Sequence, residues 1–248
     1  MELTGLYHPG NGTMRVAGFM SGSGTNLRRI IEHGGRIKAE QGREPYEVVV
    51  IFSNNPRSNA QTIGSEHNIP VVLNDADSSV REKFDAKTIR MLRPFDIDVA
   101  AYAGYMLKAS GLLVSAFFGV NVHPACLSTM CEDGVTRKYV GDKAVRKAIL
   151  AGEKELRATT HIVAPRVDYG KILMISRALP VSLPDDFDAK NDELVKRVVD
   201  EHQSRLKEVG DWVIFPKTLE YIADGRFSQD SVGNLYFDGQ PIPNGLRL

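Results

Sequence analysis

Cysteine is almost missing from this chain of 248 residues: Cys126 and Cys131 are the only two, too few for a disulfide framework or a four-cysteine zinc site. A charge excess is missing as well. The 31 basic side chains balance 31 acidic ones, whereas a nucleic-acid surface usually shows a basic surplus, so no nucleic-acid partner is expected. No apolar run approaches the roughly 20 residues that a membrane span needs. Met1–Thr13 has no basic segment followed by an apolar core, so it does not read as a secretory signal. No membrane partner is expected, and the cytoplasm is the expected compartment. No repeat, low-complexity tract or linker divides the chain. The expected organisation is an irregular extension over 1–13 and a single domain over 14–248.

What is present reads as strands alternating with helices. Met14–Met20, Glu47–Phe52, Ile69–Leu73 and Asp96–Tyr102 are short apolar runs bounded by turn residues. Between them, Leu27, Ile30 and Ile31 fall at helical spacing, Ser58–His67 reads as a helix, and Val80, Phe84, Ile89 and Leu92 mark another. This pattern predicts an α/β fold with a mostly parallel central sheet and helices on both faces. The apolar run Leu112–Val120 reads as strand leading into Asn121. Ala125–Lys138 has few apolar residues and reads as a loop. A helix is expected over Gly141–Ala151. Thr159–Val163 and Ile172–Leu179 alternate as a hairpin around Arg166–Gly170. A long helical stretch over Asp192–Tyr221 should be interrupted near Gly210 or Pro216, and Asn234–Ile242 reads as a C-terminal hairpin.

Three places could carry chemistry. Ser21-Gly22-Ser23-Gly24-Thr25-Asn26 joins the first strand to a helix. Such a turn is either an anion cradle of free backbone N–H groups or a tight turn with Thr25 or Asn26 as N-cap. No Gly-Lys-Ser/Thr follows, so it is not a Walker loop. Asn121-Val122-His123-Pro124 ends a strand. Positions two apart share a face, so Asn121 and His123 aim at one spot, and Pro124 stops the ladder. In open sheets ligands bind beyond the carboxyl ends of strands, although a polar strand end can equally serve local backbone bonding. Asp168, taken alone, reads as a turn residue before Gly170. His161 sits in an alternating strand and reads more readily as a core histidine. Cys126 and Cys131 lack a nearby base and read as non-catalytic.

Together these motifs resemble the folate-dependent formyltransferases, from about Met14 to the carboxyl terminus. Ser21–Leu27 looks like the family's substrate-phosphate loop, Phe52-Ser53-Asn54 like its second strand end, and Ala103-Gly104-Tyr105-Met106 like its Ala-Gly-Phe-Met segment. Asn121-Val122-His123-Pro124 looks like its Asn-Ile-His-Pro motif. His161 and Asp168 keep its histidine-to-aspartate spacing, and Ala223–Arg226 and the tail look like its ending. The resemblance implies a Rossmann-like formyltransferase fold. It also implies transfer of a formyl group from 10-formyltetrahydrofolate, without a metal, to the amine of a small-molecule acceptor. The phosphate loop favours glycinamide ribonucleotide, in purine biosynthesis. An amino-sugar nucleotide is the alternative acceptor, and a non-catalytic folate or nucleotide binder the alternative role. The chain would act as a monomer or homodimer. Implied catalytic residues are Asn121, His123 and Asp168. Gly24, Thr25 and Asn26 would hold phosphate, and Gly104, Met106, Pro124, His161 and Val163 would contact substrate or folate. Asp168 is expected within a few ångströms of His123 and should lift its imidazole above the usual value of about 6.5.

Three departures stand out. Ala125-Cys126-Leu127-Ser128 replaces the family's Ser-Leu-Leu-Pro, and the stretch from His123 to His161 is longer and lacks a Gly-x-His-x-His segment. Tyr169 stands where the first of two glycines usually follows the aspartate. The helix bearing a ribose-contacting glutamate is extended, with Glu201 only a loose match.

Overall fold

The computed structural model describes residues 2–248. After β1 (Thr4–Gly5) the chain enters β2 (Met14–Met20). Met14, Val16 and Met20 of β2 pack into one apolar cluster, while Ala17 and Phe19 pack into a second. Side chains alternate between the faces of a strand, so a strand apolar on both must be covered on both. The cover comes from crossover units: α1 (Thr25–Gln41), β3 (Tyr46–Ser53), α2 (Ala60–His67), β4 (Val71–Leu73), α3 (Arg81–Leu92) and β5 (Val99–Tyr102). Leu27 and Ile30 of α1 join the first cluster, and Phe84 and Leu92 of α3 the second.

The run Leu112–Val120 divides rather than forming one strand. Ser110 is an N-cap whose Oγ accepts the Leu113 N–H at 3.4 Å, and this starts helix α4 (Gly111–Ala116). Only β6 (Phe118–His123) is extended. Then come α5 (Ala144–Leu150), β7 (Glu155–Leu156), β8 (Thr159–Ile162), β9 (Ile172–Ile175) and β10 (Leu179–Pro180). β8 and β9 pair antiparallel, but β9 stops short of the expected Leu179. Ser176 bonds to Ala158 through both its N–H and its Oγ, and Leu179 and Pro180 pair with β7 instead.

α6 (Asp192–Leu206) and α7 (Trp212–Ala223) are joined by one wide turn, Lys207–Asp211, of the π type. The long helix is thus interrupted around Gly210, while Pro216 lies inside α7. β11 (Phe227–Gln229), β12 (Leu235–Phe237) and β13 (Gln240–Pro241) make a small antiparallel sheet that includes the terminal hairpin. β1 joins this sheet, with Thr4 opposite Gln229, so part of the segment expected to be irregular is a strand. β14 (Leu246–Arg247) returns to the main sheet, parallel to β9.

The main sheet runs β14-β9-β8-β6-β5-β2-β3-β4. β6, β5, β2, β3 and β4 are mutually parallel, and β8 is antiparallel to both its neighbours. The parallel strands therefore present their carboxyl ends along one edge. No described helix is long and apolar enough to cross a membrane, and the described residues include no group of three His, Cys, Asp or Glu able to hold a metal ion.

Candidate active site

One cavity of about 840 Å³ opens along that edge. It is lined by every site residue the sequence singles out: Gly24, Thr25, Asn26, Gly104, Met106, Asn121, His123, Pro124, His161, Val163 and Asp168. Glu201 is not among them. It faces solvent beside Arg205, at 3.8 Å.

The turn after β2 forms the first wall. Gly24 is the N-cap of α1, with φ 71°, and no side chain caps the helix. At that φ a side chain is strained, and a Cβ would also push aside the tips of Ile63 (Cδ1 at 2.5 Å) and Met20 (Cε at 2.8 Å), so the position favours glycine. The N-cap reading of Thr25 or Asn26 is thereby excluded, and both residues lie in the first turn, where backbone N–H groups are left for an anion. Ser21 ties this loop to the next one. Its N–H donates to Gly104 O at 3.0 Å, its Oγ accepts the Met106 N–H at 2.9 Å, and the same Oγ donates to Asn54 Oδ1 at 2.6 Å. The Met106 side chain itself is exposed.

At the end of β6, three polar side chains converge with one from β8. Asn121 lies directly opposite His161 in the antiparallel ladder, and Asn121 Nδ2 is 3.1 Å from His161 Nε2. His161 Nδ1 donates to the Ile162 carbonyl at 2.9 Å. At Nε2 a neutral ring accepts from Asn121, whereas a protonated ring donates to the carboxylate of Asp168. His161 Nε2 is also 3.3 Å from Asp168 Oδ1. His123 Nε2 donates to the Tyr139 carbonyl at 2.7 Å, and His123 Nδ1 is 3.4 Å from Asp168 Oδ2. Asp168 Oδ2 accepts the Gly141 N–H at 2.7 Å. Asp168 thus meets His123, as expected from the sequence.

Electrostatics follow from burial and these partners. Burial alone would raise the Asp168 carboxyl, but the hydrogen bond with His161, the charge of His123 and the Gly141 N–H outweigh it and hold the group down at about 2. His123 goes the other way from expectation. Burial pulls its imidazole below 6.5, and the opposing pull of Asp168 and the Tyr139 carbonyl is smaller. The side chain is 7% exposed, so the lost hydration of the imidazolium outweighs a carboxylate held beyond ideal hydrogen-bond distance.

The cavity also holds residues that motif reading missed. Gln203, Lys207 and Asp211 line it from the α6–α7 junction. Asp211 Oδ2 accepts from Asn26 Nδ2 at 3.4 Å, while Asp211 Oδ1 and Asn26 Oδ1 are buried with no hydrogen-bond partner among the described residues. Burial pushes the Asp211 carboxyl up to about 6, against Asn26 and Lys207. The signal was polar spacing by fours along an otherwise amphipathic helix.

Gly170 closes the loop that carries Asp168. A Cβ there would lie 1.6 Å from the Ile162 carbonyl oxygen, which is backbone and cannot swing aside. Gly170→Ala is expected to cost roughly 1–3 kcal/mol of stability, as other overpacked sites do, and to lower turnover by moving Asp168. Urea unfolding beside a rate measurement checks both. An unchanged midpoint would mean that the loop has another way to close.

A family model described as formyl transferase matches residues 14–209. The trifunctional purine biosynthetic protein adenosine-3 of Drosophila melanogaster is 32% identical over 214 residues, which are 85% of this chain and 14% of that protein. The chain thus spans only a small part of the first curated relatives it matches, between 14% and 20% of their length. The phosphoribosylglycinamide formyltransferase of Haemophilus influenzae is 28% identical over 236 residues, 92% of this chain and 96% of that one. Among solved structures, the phosphoribosylglycinamide formyltransferase of Coxiella burnetii superposes with a TM-score of 0.70, covering 95% of this chain and 99% of its own at 24% identity. That likeness establishes the fold.

Proposed function

This chain belongs to the formyl transferase family, and we propose that it moves the formyl group of 10-formyltetrahydrofolate onto the amine of glycinamide ribonucleotide, a step of purine biosynthesis. The observation that carries the acceptor is the pair Asp211 and Asn26. Both residues line one wall of the cavity, each has a buried acceptor oxygen without a partner among the described residues, and buried polar atoms of this kind call for donors. Two neighbouring hydroxyls of a ribose supply them. The uncapped amino terminus of α1 lies beside them and suits a phosphate. A phosphorylated ribose joins those two features, and the name of the Haemophilus influenzae relative supports the same acceptor.

The donor fits the rest of the cavity. Its volume of about 840 Å³ lies within the ~300–1,000 Å³ of small-molecule sites. Leu107, Val163, Ala164 and Val167 add an apolar wall for a flat heterocycle. The formyl-folate supplies a carbonyl carbon whose oxygen turns anionic as the amine attacks. Asn121 holds one amide N–H on His161 and has a second for that oxyanion. His123 rests neutral, because burial lowers it and Tyr139 fixes the proton on Nε2. Its lone pair at Nδ1 takes the proton of the attacking amine. Asp168 stabilises the resulting imidazolium, and the proton then passes to the leaving nitrogen. This differs from a resting imidazolium that donates to the oxyanion.

On this reading residues 14–248 act as one formyltransferase domain, in the cytoplasm, as a monomer or homodimer working on small molecules. The test is a turnover assay with glycinamide ribonucleotide and 10-formyltetrahydrofolate, with inorganic phosphate as a competitor of the acceptor. Turnover that phosphate inhibits competitively is the expected result. Transfer only to an amino-sugar nucleotide would overturn the acceptor, and no transfer to either amine would favour a non-catalytic binder.

A further inference from the structure

We propose that Arg137 and Tyr169 form a clamp that positions Asp168 against His123, so that the long segment after His123 serves as a brace for the catalytic pair. The inference rests on the function proposed above. Two oddities of this sequence meet here: the lengthened stretch between His123 and His161, which carries Arg137, and a tyrosine where glycine is usual. In the fold they touch. The Tyr169 ring lies under two guanidinium groups, with the Arg166 carbon 3.4 Å and the Arg137 carbon 5.6 Å from its centre. Tyr169 Oη accepts the Arg137 backbone N–H at 3.2 Å. The Arg137 guanidinium in turn donates to the backbone carbonyl of Asp168.

Asp168 needs such holding. It is a non-glycine residue at φ 58°, a conformation that persists only where its surroundings impose it. Arg137 grips the peptide that follows Asp168, and Tyr169 is the next residue along that peptide. The brace has its own anchorage. Cys131 N–H donates to Thr136 O at 2.7 Å and Lys138 N–H to Thr129 O at 2.9 Å. Asp133 accepts from the Val135 and Thr136 N–H groups at 2.9 and 2.8 Å. Just beyond it, the Tyr139 carbonyl and the Gly141 N–H contact His123 and Asp168 directly. Arg137 and Tyr169 are positioning residues, since their partners are backbone, each other and the Arg166 guanidinium, none of them a reacting group.

Four neighbours act on the His123 ring: Asp168, the Tyr139 carbonyl, His161 from β8 and Lys147 from α5. Asp168 is the one whose backbone the Arg137 guanidinium holds, so the His123 titration reports the clamp without any turnover. The experiment compares Arg137→Ala, Arg137→Lys and Tyr169→Phe with the wild type by kcat, KM, melting temperature and NMR titration of His123 in the empty protein. Arg137→Ala should lower kcat by about 10- to 100-fold, the scale of a small displacement of a catalytic group, with little change in acceptor KM. His123 should titrate still lower, because the carboxylate that raises it has drifted. Arg137→Lys keeps a charge without the planar fork and should recover only part of the rate. Tyr169→Phe keeps the ring but loses the bond to the Arg137 N–H and should show a smaller loss of the same kind, with His123 titrating slightly lower. If Arg137→Ala does not fold, Arg137→Lys must show the kcat deficit with a moved titration. Wild-type kcat and an unmoved titration in a folded Arg137 variant would overturn the clamp, as would a lost rate with His123 titrating unchanged. A wild-type protein without turnover would remove the proposed function instead, and the titration would still test the clamp.

Discussion

Replacing His123 with Ala is expected to lower turnover by about 10²–10⁴, the scale of losing a positioned general base. The ring is buried and donates to the Tyr139 carbonyl, so its removal also leaves that acceptor unpaired, at roughly 1–3 kcal/mol of stability. His123→Asn refills part of the site and separates the two effects. Near wild-type turnover in a folded variant would end the mechanism. Asp168→Asn sharpens the same test through pH. In the wild type the Asp168 charge opposes the burial that lowers His123. Asparagine removes that opposition, so His123 should titrate lower still and its imidazolium should form less readily during proton transfer. A base must be neutral to act, so the acid limb of kcat/KM should move to lower pH while the plateau falls. The wild-type-to-variant ratio should therefore widen from pH 5 towards pH 8 and then level. A ratio independent of pH would show that Asp168 does not act on His123 through charge.

The second large effect sits at Asp211 and has two signs. Burial raises this carboxyl from 3.8 to about 6. The folded state therefore holds its proton more tightly than the unfolded chain does, and stability falls as pH rises between those values. Two units correspond to roughly 3 kcal/mol at most, a penalty fully present at neutral pH and absent below about pH 4. Asp211→Asn lifts the penalty and still accepts from Asn26. It should stabilise the protein at pH 8 by about 1–3 kcal/mol and leave it unchanged at pH 4. Acceptor binding should weaken in the same protein. One acceptor oxygen becomes an amide donor, and a charged hydrogen bond to a hydroxyl contributes about 1.5–3 kcal/mol, so acceptor KM should rise about 10- to 100-fold. Urea unfolding at the two pH values and a KM measurement check the pair of outcomes. Loss of stability at pH 8, or an unmoved KM, would show that Asp211 is structural rather than a ligand group.

These residues also show where sequence reading stops. Asn121, His123 and Pro124 were legible because a strand end projects alternate side chains one way, and Gly24 because a strand-to-helix turn needs a residue without Cβ. Asp168 was legible by resemblance, and its reach back to His123 by the need to gather three groups at one carbon. Asp211 was not. Its spacing by fours from Gln203 and Lys207 marks one helix face, but nothing in the sequence says that this face meets the cavity, and Glu201 drew notice instead. The direction of His123 was misread for a different reason. A carboxylate partner can be read from a motif, but the depth of burial that outweighs it is a property of packing. α4 was missed because an apolar run beside a strand has no periodicity of its own, and only Ser110 marks the helix start.

β14 bears on how copies of the molecule treat one another. All four residues of β9 are buried, and without β14 they would form the outer border of the sheet. A long apolar border with open N–H and C=O groups recruits strands from other chains. Instead the border is a strand of two residues, Leu246–Arg247, whose arginine reaches Ser128 Oγ at 3.1 Å. At the far border β4 has three residues. Margins of two and three residues, one of them bearing an arginine, offer a neighbouring strand little length to zip onto, which works against copies joining sheet to sheet.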